Sequence, residues 1–369
     1  MIFRTTSRKP VLVVGNGARS AGATELIHEF TKKTHIPVLT TLNAVDLAQD
    51  DIRIGFIGTY GNRVANMILN ECDLLISVGA KLGLRQIGHI TERFAPKAEL
   101  IRVDIDQYEL SRNIKDNEEK HLMDAKDFMK ILLEENIPDY SEWFNKCKKA
   151  KEVLDGIDNV TGNMAIEKIS SLLPENPVVA IDIGQHMCWS AQSLSLKGNY
   201  GRILIGGSYG SMGCGLPYAI GASISNKNGL IFCITGDGGL QMNIQELETV
   251  RREKLPIKIL VINNEVLGKI SEIQEGSYNA RFAQTTKESG YTVPAFEKIA
   301  EAYGIKAAAI ASYEELDKYT DWLADNDPCL INIHIPEATL LIPKIKWETC
   351  TIKPDLDDKT MAQVQSFIG

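Results

Sequence analysis

Residues 230–270 read LIFCITGDGGLQMNIQELETVRREKLPIKILVINNEVLGKI. Leu230 to Thr235 is a short apolar run rich in β-branched residues, the composition of a buried strand. Gly236, Gly238 and Gly239 read as a tight turn at its end. Asn243, with Glu246 three residues on, has the form of a helix start. Pro256 stops that helix before a second strand over Ile257 to Ile262. A strand–turn–helix–strand unit makes its two strands parallel, and the fold class that follows is α/β. Asp237 and Asn264 then stand at the carboxyl ends of parallel strands, where open sheets bind ligands. One carboxylate, one amide oxygen and nearby backbone carbonyls suit Mg2+, which takes few protein ligands and adds water and phosphate oxygens. Backbone N–H groups at a helix start can bind the phosphates themselves. The residues alone point to a diphosphate held through a divalent metal. The plainer alternative is an ordinary βαβ unit with an aspartate at a strand end.

The 369 residues are enough for about two domains. With 44% hydrophobic residues the chain can build real cores. The net charge of −8 arises from 48 acidic and 40 basic residues without long blocks of either sign, which argues against nucleic acid as a partner. No apolar run reaches membrane-spanning length, which argues against a membrane protein. Seven cysteines, an odd number with no C-x-x-C pair, fit reduced thiols in a cytoplasmic protein.

Upstream, VLVVGNGARSAG from Val11 reads as a strand and a glycine turn. Gly15-x-Gly17-x-x-Ser20 is an incomplete dinucleotide fingerprint, and close helix–strand packing explains it equally well. Helices over Ala23 to Lys33 and Asn62 to Asn70 alternate with strands over Ile36 to Leu39, Asp73 to Val78 and Leu100 to Ile105. This is the order of a doubly wound domain with a parallel sheet. Residues 116–162 turn charged and helical and read as a connection, with the domain boundary near Gly156 to Gly162. A second domain opens with a helix over Met164 to Leu173 and a strand over Val178 to Asp182, followed by Gly184-Gln185-His186. Trp189 reads as packing. Beyond Asn264, helices over Ala295 to Tyr303 and Glu314 to Ala324 alternate with strands over Ile305 to Ile310 and Cys329 to Ile335. The tail from Pro336 reads as an irregular arm.

Gly236-Asp237-Gly238, 24 intervening residues and Asn263-Asn264 together resemble the signature of thiamine-diphosphate enzymes. The chain as a whole resembles the acetolactate synthase and pyruvate decarboxylase group. That resemblance implies two doubly wound domains with mostly parallel sheets. Residues 1–156 would be a Rossmann-like middle domain, and residues 157–369 the thiamine-diphosphate-binding domain with a C-terminal arm. It places Asp237, Asn264 and the backbone carbonyl of Val266 on Mg2+. It places Gly184, Gln185, His186, Gly236, Gly238, Gly239, Leu267 and Gly268 around the diphosphate. Gly210, Ser211 and Met212 fall at the cofactor rings, where the Gly210 carbonyl accepts from the aminopyrimidine and Met212 wedges the rings apart. Without the resemblance, His186 would read as a structural histidine and Met212 as core filler.

Gly268 to Ser277 would form the substrate loop, with Lys269 and Ile273 where acetolactate synthases place methionine and tryptophan. Those enzymes also bind flavin (FAD) on the middle domain. Here the acidic pair ahead of the matching arginine is Gly83-Leu84 before Arg85, which counts against flavin. The group carries an activating glutamate on a first, pyrimidine-binding domain that no segment here matches, so no catalytic residue is assigned in this chain. The expected protein is the cofactor-binding part of a 2-keto acid decarboxylase or carboligase. It would take its pyrimidine-binding domain in cis from a longer protein or in trans from another chain, within a homodimer or tetramer, and the isolated chain would be inactive. The rivals are a non-catalytic flavin- or nucleotide-binding module on the Gly15-Asn16-Gly17 turn, and a scaffold subunit.

Overall fold

In a computed structural model, every residue is described except 1, 49–51, 117, 199, 208, 227–228 and 347–348. The chain divides into two compact units, Met1–Asp158 with Ile342–Gly369, and Asn159–Leu341.

The first unit is built on β1 (Pro10–Val14), β2 (Val38–Thr40), β3 (Arg53–Phe56), β4 (Leu74–Val78), β5 (Glu99–Asp104) and β6 (Glu119–Leu122). They pair in the order β3-β2-β1-β4-β5-β6, every pair parallel. This is the doubly wound order whose reversal lies between β1 and β4. At that reversal the glycine turn is closed. Gly15 N donates to the Val78 carbonyl at 3.0 Å and Gly17 N to the Gly79 carbonyl at 2.9 Å, and a Cβ on Gly15 would collide with the Gly79–Ala80 backbone. The amides that a dinucleotide would use are thus engaged, and the turn is a packing device.

Residues 116–162 are not a linker. They supply edge strand β6 and helices Ala125–Glu134 and Ser141–Asp158, which bury Phe128, Met129, Leu132, Trp143, Phe144 and Cys147 in the first core. Their charges are numerous because only one stripe of each helix faces inward. The tail is not an irregular arm on the second domain either. It forms an antiparallel pair, β13 (Lys344–Lys346) with β14 (Thr351–Lys353), then helix Asp358–Ile368, whose Val364 and Ile368 are fully buried in the first core. Buried Arg63 secures this return. It grips Asp158 with two nitrogens, Nε and Nη2, and donates Nη1 to the Pro354 carbonyl at 2.7 Å.

The second unit contains β7 (Val178–Ile181), β8 (Arg202–Ile205), β9 (Ile231–Gly236), β10 (Ile257–Asn263), β11 (Lys306–Ile310) and β12 (Cys329–His334). Their order is β11-β12-β10-β9-β7-β8, again all parallel. β9 and β10 are buried along their whole length, as central strands covered on both faces must be. Lys258, inside β10, is fully buried and is tolerated because its Nζ reaches the Asp325 carboxylate at 2.7 Å. Edge strand β8 carries no motif and is absent from the sequence reading. The chain leaves β7 toward β8 and returns to β9 on the other side, so the reversal of this sheet lies between β7 and β9.

Ile368→Ala should cost about 2–5 kcal/mol by emptying a filled core position. Hydrogen-exchange mass spectrometry should show faster exchange in helix Ser141–Asp158, with β9 and β10 unchanged.

Candidate functional site

The decisive unit folds more tightly than its sequence implies. No turn separates β9 from its helix: Gly236 ends the strand and Asp237 opens helix Asp237–Met242 directly. Asn243 does cap a helical segment, but without a side-chain cap bond and after a first helix has already begun at Asp237. It sits in the break before a short 3-10 turn, Ile244–Glu246, and helix Leu247–Arg252. Glycines at 238 and 239 sit in crowded places, where a side chain would displace its neighbours. A Cβ at 238 would meet Leu267 Cδ2 at 2.6 Å, and one at 239 would collide with the Asp182 carboxylate. The segment expected as a substrate loop is helix Gly268–Ser277.

β9 and β10 run side by side with Gly236 opposite Ile262, which brings Asp237 and Asn264 to adjoining strand ends. Both line one cleft of about 650 Å3, open solvent included. Of the residues that the sequence reading assigned to cofactor or metal, Ser211 alone lies outside the lining, on the surface. Gly184, Gln185, His186, Gly210, Met212, Gly236, Asp237, Gly238, Gly239, Asn264, Val266, Leu267 and Gly268 all line it. Helices Gln185–Ser193, Asp237–Met242 and Gly268–Ser277 all begin at this cleft, so three positive helix ends face it. Trp189, expected as packing, is buried with its indole N–H on the Leu340 carbonyl and still forms part of the wall.

Asp237 is 3% exposed. Its Oδ1 accepts from the Gly238 amide at 2.6 Å and the Tyr291 hydroxyl at 3.1 Å, while Oδ2 is buried with no hydrogen-bond partner. Burial pushes this carboxyl up to about 6, against the pull of the Gly238 amide, the Tyr291 hydroxyl and the Glu265 and Val266 amides. Asn264 donates Nδ2 to Gln185 Oε1 at 3.0 Å, which leaves its amide oxygen as the free pole. Gly268 makes room for that pair, since a Cβ there would strike the Gln185 amide. Glu265, between Asn264 and Val266, adopts a left-handed φ of 54°. His186 is buried with Nε2 unpartnered. Burial pushes its imidazole down to about 4, opposed by the Asp182 carboxylate and a hydrogen bond to the Asp182 backbone.

Three residues of this architecture were not assigned to the site from the sequence. Asp182, 1% exposed, accepts from the Ile183 amide at 2.7 Å, the Gly213 amide at 3.0 Å and the Thr235 hydroxyl at 3.1 Å. It pins the Gly210–Gly213 loop to the ends of β7 and β9, and Asn243 Nδ2 holds the Gly213 carbonyl from the other side at 2.8 Å. An aspartate closing a buried strand was the signal for Asp182. Tyr291 offered none, being 54 residues from the oxygen it reaches.

A bare, buried carboxylate oxygen is costly unless something answers it. Beside an amide oxygen and three helix starts, it fits a hard cation bridging to phosphate oxygens. Residues 182–333 match the thiamine pyrophosphate enzyme C-terminal TPP binding domain and residues 5–132 the thiamine pyrophosphate enzyme central domain, and the chain belongs to that family. Among named relatives it is similar to three acetolactate synthase proteins. It is 31% identical over 349 residues to the acetolactate synthase isozyme 2 large subunit of Escherichia coli (strain K12), covering 92% of this chain and 62% of the relative. It is 34% identical over 355 residues to the acetolactate synthase large subunit of Cyanidium caldarium, covering 92% and 60%. It is 30% identical over 396 residues to the probable acetolactate synthase large subunit of Methanocaldococcus jannaschii, covering 98% and 66%. The chain thus spans about three-fifths of the length of the curated relatives it matches.

The two perturbed groups oppose each other in pH. Between about 4 and 6.5 the unfolded His186 imidazole is protonated and the folded one is not, so stability is lost as pH falls. Between 3.8 and about 6 the folded Asp237 carboxyl holds a proton that the unfolded one releases, so stability is gained as pH falls. Asp237→Asn removes the second effect. Its urea midpoint should fall between pH 6.5 and 4 more steeply than that of the parent, by a slope of about one proton. Parallel pH profiles for the two proteins would contradict these assignments.

Proposed function

We propose that this chain is the cofactor-binding part of a thiamine-diphosphate- and Mg2+-dependent enzyme of the acetolactate synthase type. It would act in the cytoplasm on a 2-keto acid, with decarboxylation followed by carboligation or aldehyde release. A pyrimidine-binding domain, in cis or from another chain, would complete the site within a homodimer or tetramer. The observation that carries this reading is the buried Asp237 carboxylate with one oxygen unanswered, set beside Asn264 at adjoining strand ends. Support for the reaction class comes from the two matched domains and from relatives named acetolactate synthase large subunit.

When bound, thiamine diphosphate supplies the carbon nucleophile and electron sink that a 2-keto acid needs to lose its carboxylate. This chain's residues hold and orient. Asp237 Oδ2, the Asn264 amide oxygen and the Val266 carbonyl would ligate Mg2+. The helix starts at Gln185, Gly238 and Gly268 would receive the diphosphate, with Gly239 and Leu267 completing the cradle. His186, neutral at physiological pH, lends a ring nitrogen to the same wall. Gly210 and Met212, on the loop pinned by Asp182 and Asn243, would set the rings. Ile183, Trp189, Met212, Leu267 and Ile270 line the cleft as an apolar wall that would limit water around bound cofactor. Lys269 and Ile273 replace the methionine and tryptophan of acetolactate synthases, so the pocket for the second keto acid differs in charge and bulk.

Calorimetry of thiamine diphosphate with Mg2+, on this chain together with a pyrimidine-binding domain, tests the reading. Binding should be metal-dependent and should weaken more than about 100-fold in Asp237→Ala, beyond the roughly 10–100-fold expected for an outer-sphere partner. Metal-independent binding, or an unchanged Asp237→Ala, would count against it.

A further inference from the structure

The two oxygens of Asp237 have different surroundings. A carboxylate offers roughly two acceptor positions on each oxygen. On Oδ1 both are taken, by the Gly238 amide at 2.6 Å and the Tyr291 hydroxyl at 3.1 Å, while Oδ2 has no partner. A cation entering the cleft therefore finds one oxygen of this acid and not two. We propose that Tyr291 is a positioning residue that holds Asp237 as a one-oxygen ligand and so sets the preference of the cleft for Mg2+ over Ca2+. This rests on the metal-holding reading given above and adds what decides which divalent ion is held.

The reason is coordination chemistry. Mg2+ needs a near-octahedral shell at about 2.0–2.1 Å and takes one oxygen from each carboxylate. Ca2+ takes about six to eight oxygens at 2.3–2.6 Å and readily grips both oxygens of one carboxylate. A two-oxygen grip on Asp237 would have to evict a donor from Oδ1. The Gly238 amide belongs to the chain's own backbone at the helix start and cannot turn away. The tyrosine hydroxyl is the second occupant, and the fold holds it in place. Its segment folds back under helix Gly268–Ser277, with the Thr285 carbonyl accepting from Leu267 N at 2.9 Å and the Thr285 hydroxyl donating to Gln274 at 2.6 Å. Tyr291 N then donates to the Thr286 carbonyl at 2.9 Å. Leu267 is itself a wall of the cleft, so the segment that carries the hydroxyl is tied to that wall. Burial and the Asp237 charge both push the Tyr291 phenol up, which keeps it a donor at any working pH.

The test titrates this chain together with a pyrimidine-binding domain, in saturating thiamine diphosphate, with MgCl2 and separately with CaCl2. Quenching of tryptophan fluorescence serves as the readout, since Trp189 lines the cleft. In Tyr291→Phe the ratio of the Ca2+ to the Mg2+ dissociation constant should fall about three- to tenfold, the scale of one hydrogen bond. The metal-free melting temperature should fall by only a few degrees, the scale of one lost hydrogen bond. Tyr291→Leu, which also lacks the hydroxyl, should reproduce the shift. An unchanged ratio, or equal weakening of both ions, overturns the inference and leaves the metal site standing. A parent complex of the chain with the pyrimidine-binding domain that binds neither ion overturns the metal site and the inference together.

Discussion

A carboxylate buried at the tip of β9, with one oxygen satisfied and the other bare, is the constraint around which the second unit is arranged. Burying such a group is unfavourable unless its lone pairs are answered. The Gly238 amide and the Tyr291 hydroxyl answer one side only. Everything nearby keeps that asymmetry in place. β9 and β10, buried on both faces, fix Asp237 and Asn264 as neighbours. Glycines at 238, 239 and 268 let backbone approach where any side chain would collide. Gln185 turns the Asn264 amide so that its oxygen stays free, and Asp182 locks the facing loop. The cleft is a consequence of how two strand ends and three helix starts meet.

The two units share a doubly wound plan and use their reversal points for different ends. In the first, between β1 and β4, the Gly15 and Gly17 amides are taken by the Val78 and Gly79 carbonyls, and backbone fills the space. In the second, between β7 and β9, the same backbone tie is present, with Asp182 N on the Ile234 carbonyl at 3.0 Å. The Asp182 side chain adds contacts to Thr235 and Gly213 beside a lined cleft. The same topology thus carries a packing joint in one unit and a ligand cleft in the other.

What could be read in the amino-acid sequence was whatever fits within one βαβ unit. The strands around Asp237 and Asn264 are unbroken apolar runs and their spacing fixes the crossover, which places those two residues at the cleft; the further cleft residues came from the family resemblance and line it with the exception of Ser211. The first helix start, at Asp237, was missed because glycines at 238 and 239, set in crowded places, suppress the usual helical signal. Residues 116–162 passed for a linker because helices that bury one narrow stripe are mostly charge in sequence. The return of the tail rests on Arg63 meeting the Pro354 carbonyl, 291 positions away, and Tyr291 meets Asp237 across 54. No local periodicity encodes contacts at those separations.

The central claim is that Asp237 and Asn264 jointly ligate a divalent ion that carries a diphosphate. Anomalous diffraction from crystals grown with Mn2+ and thiamine diphosphate tests it most directly. The account predicts one anomalous peak about 2.0–2.3 Å from Asp237 Oδ2 and from the Asn264 amide oxygen, the range of Mg2+-like oxygen coordination. An ordered diphosphate in the cleft with no peak between these two side chains, or a peak elsewhere with Asp237 Oδ2 still unpartnered, would contradict it.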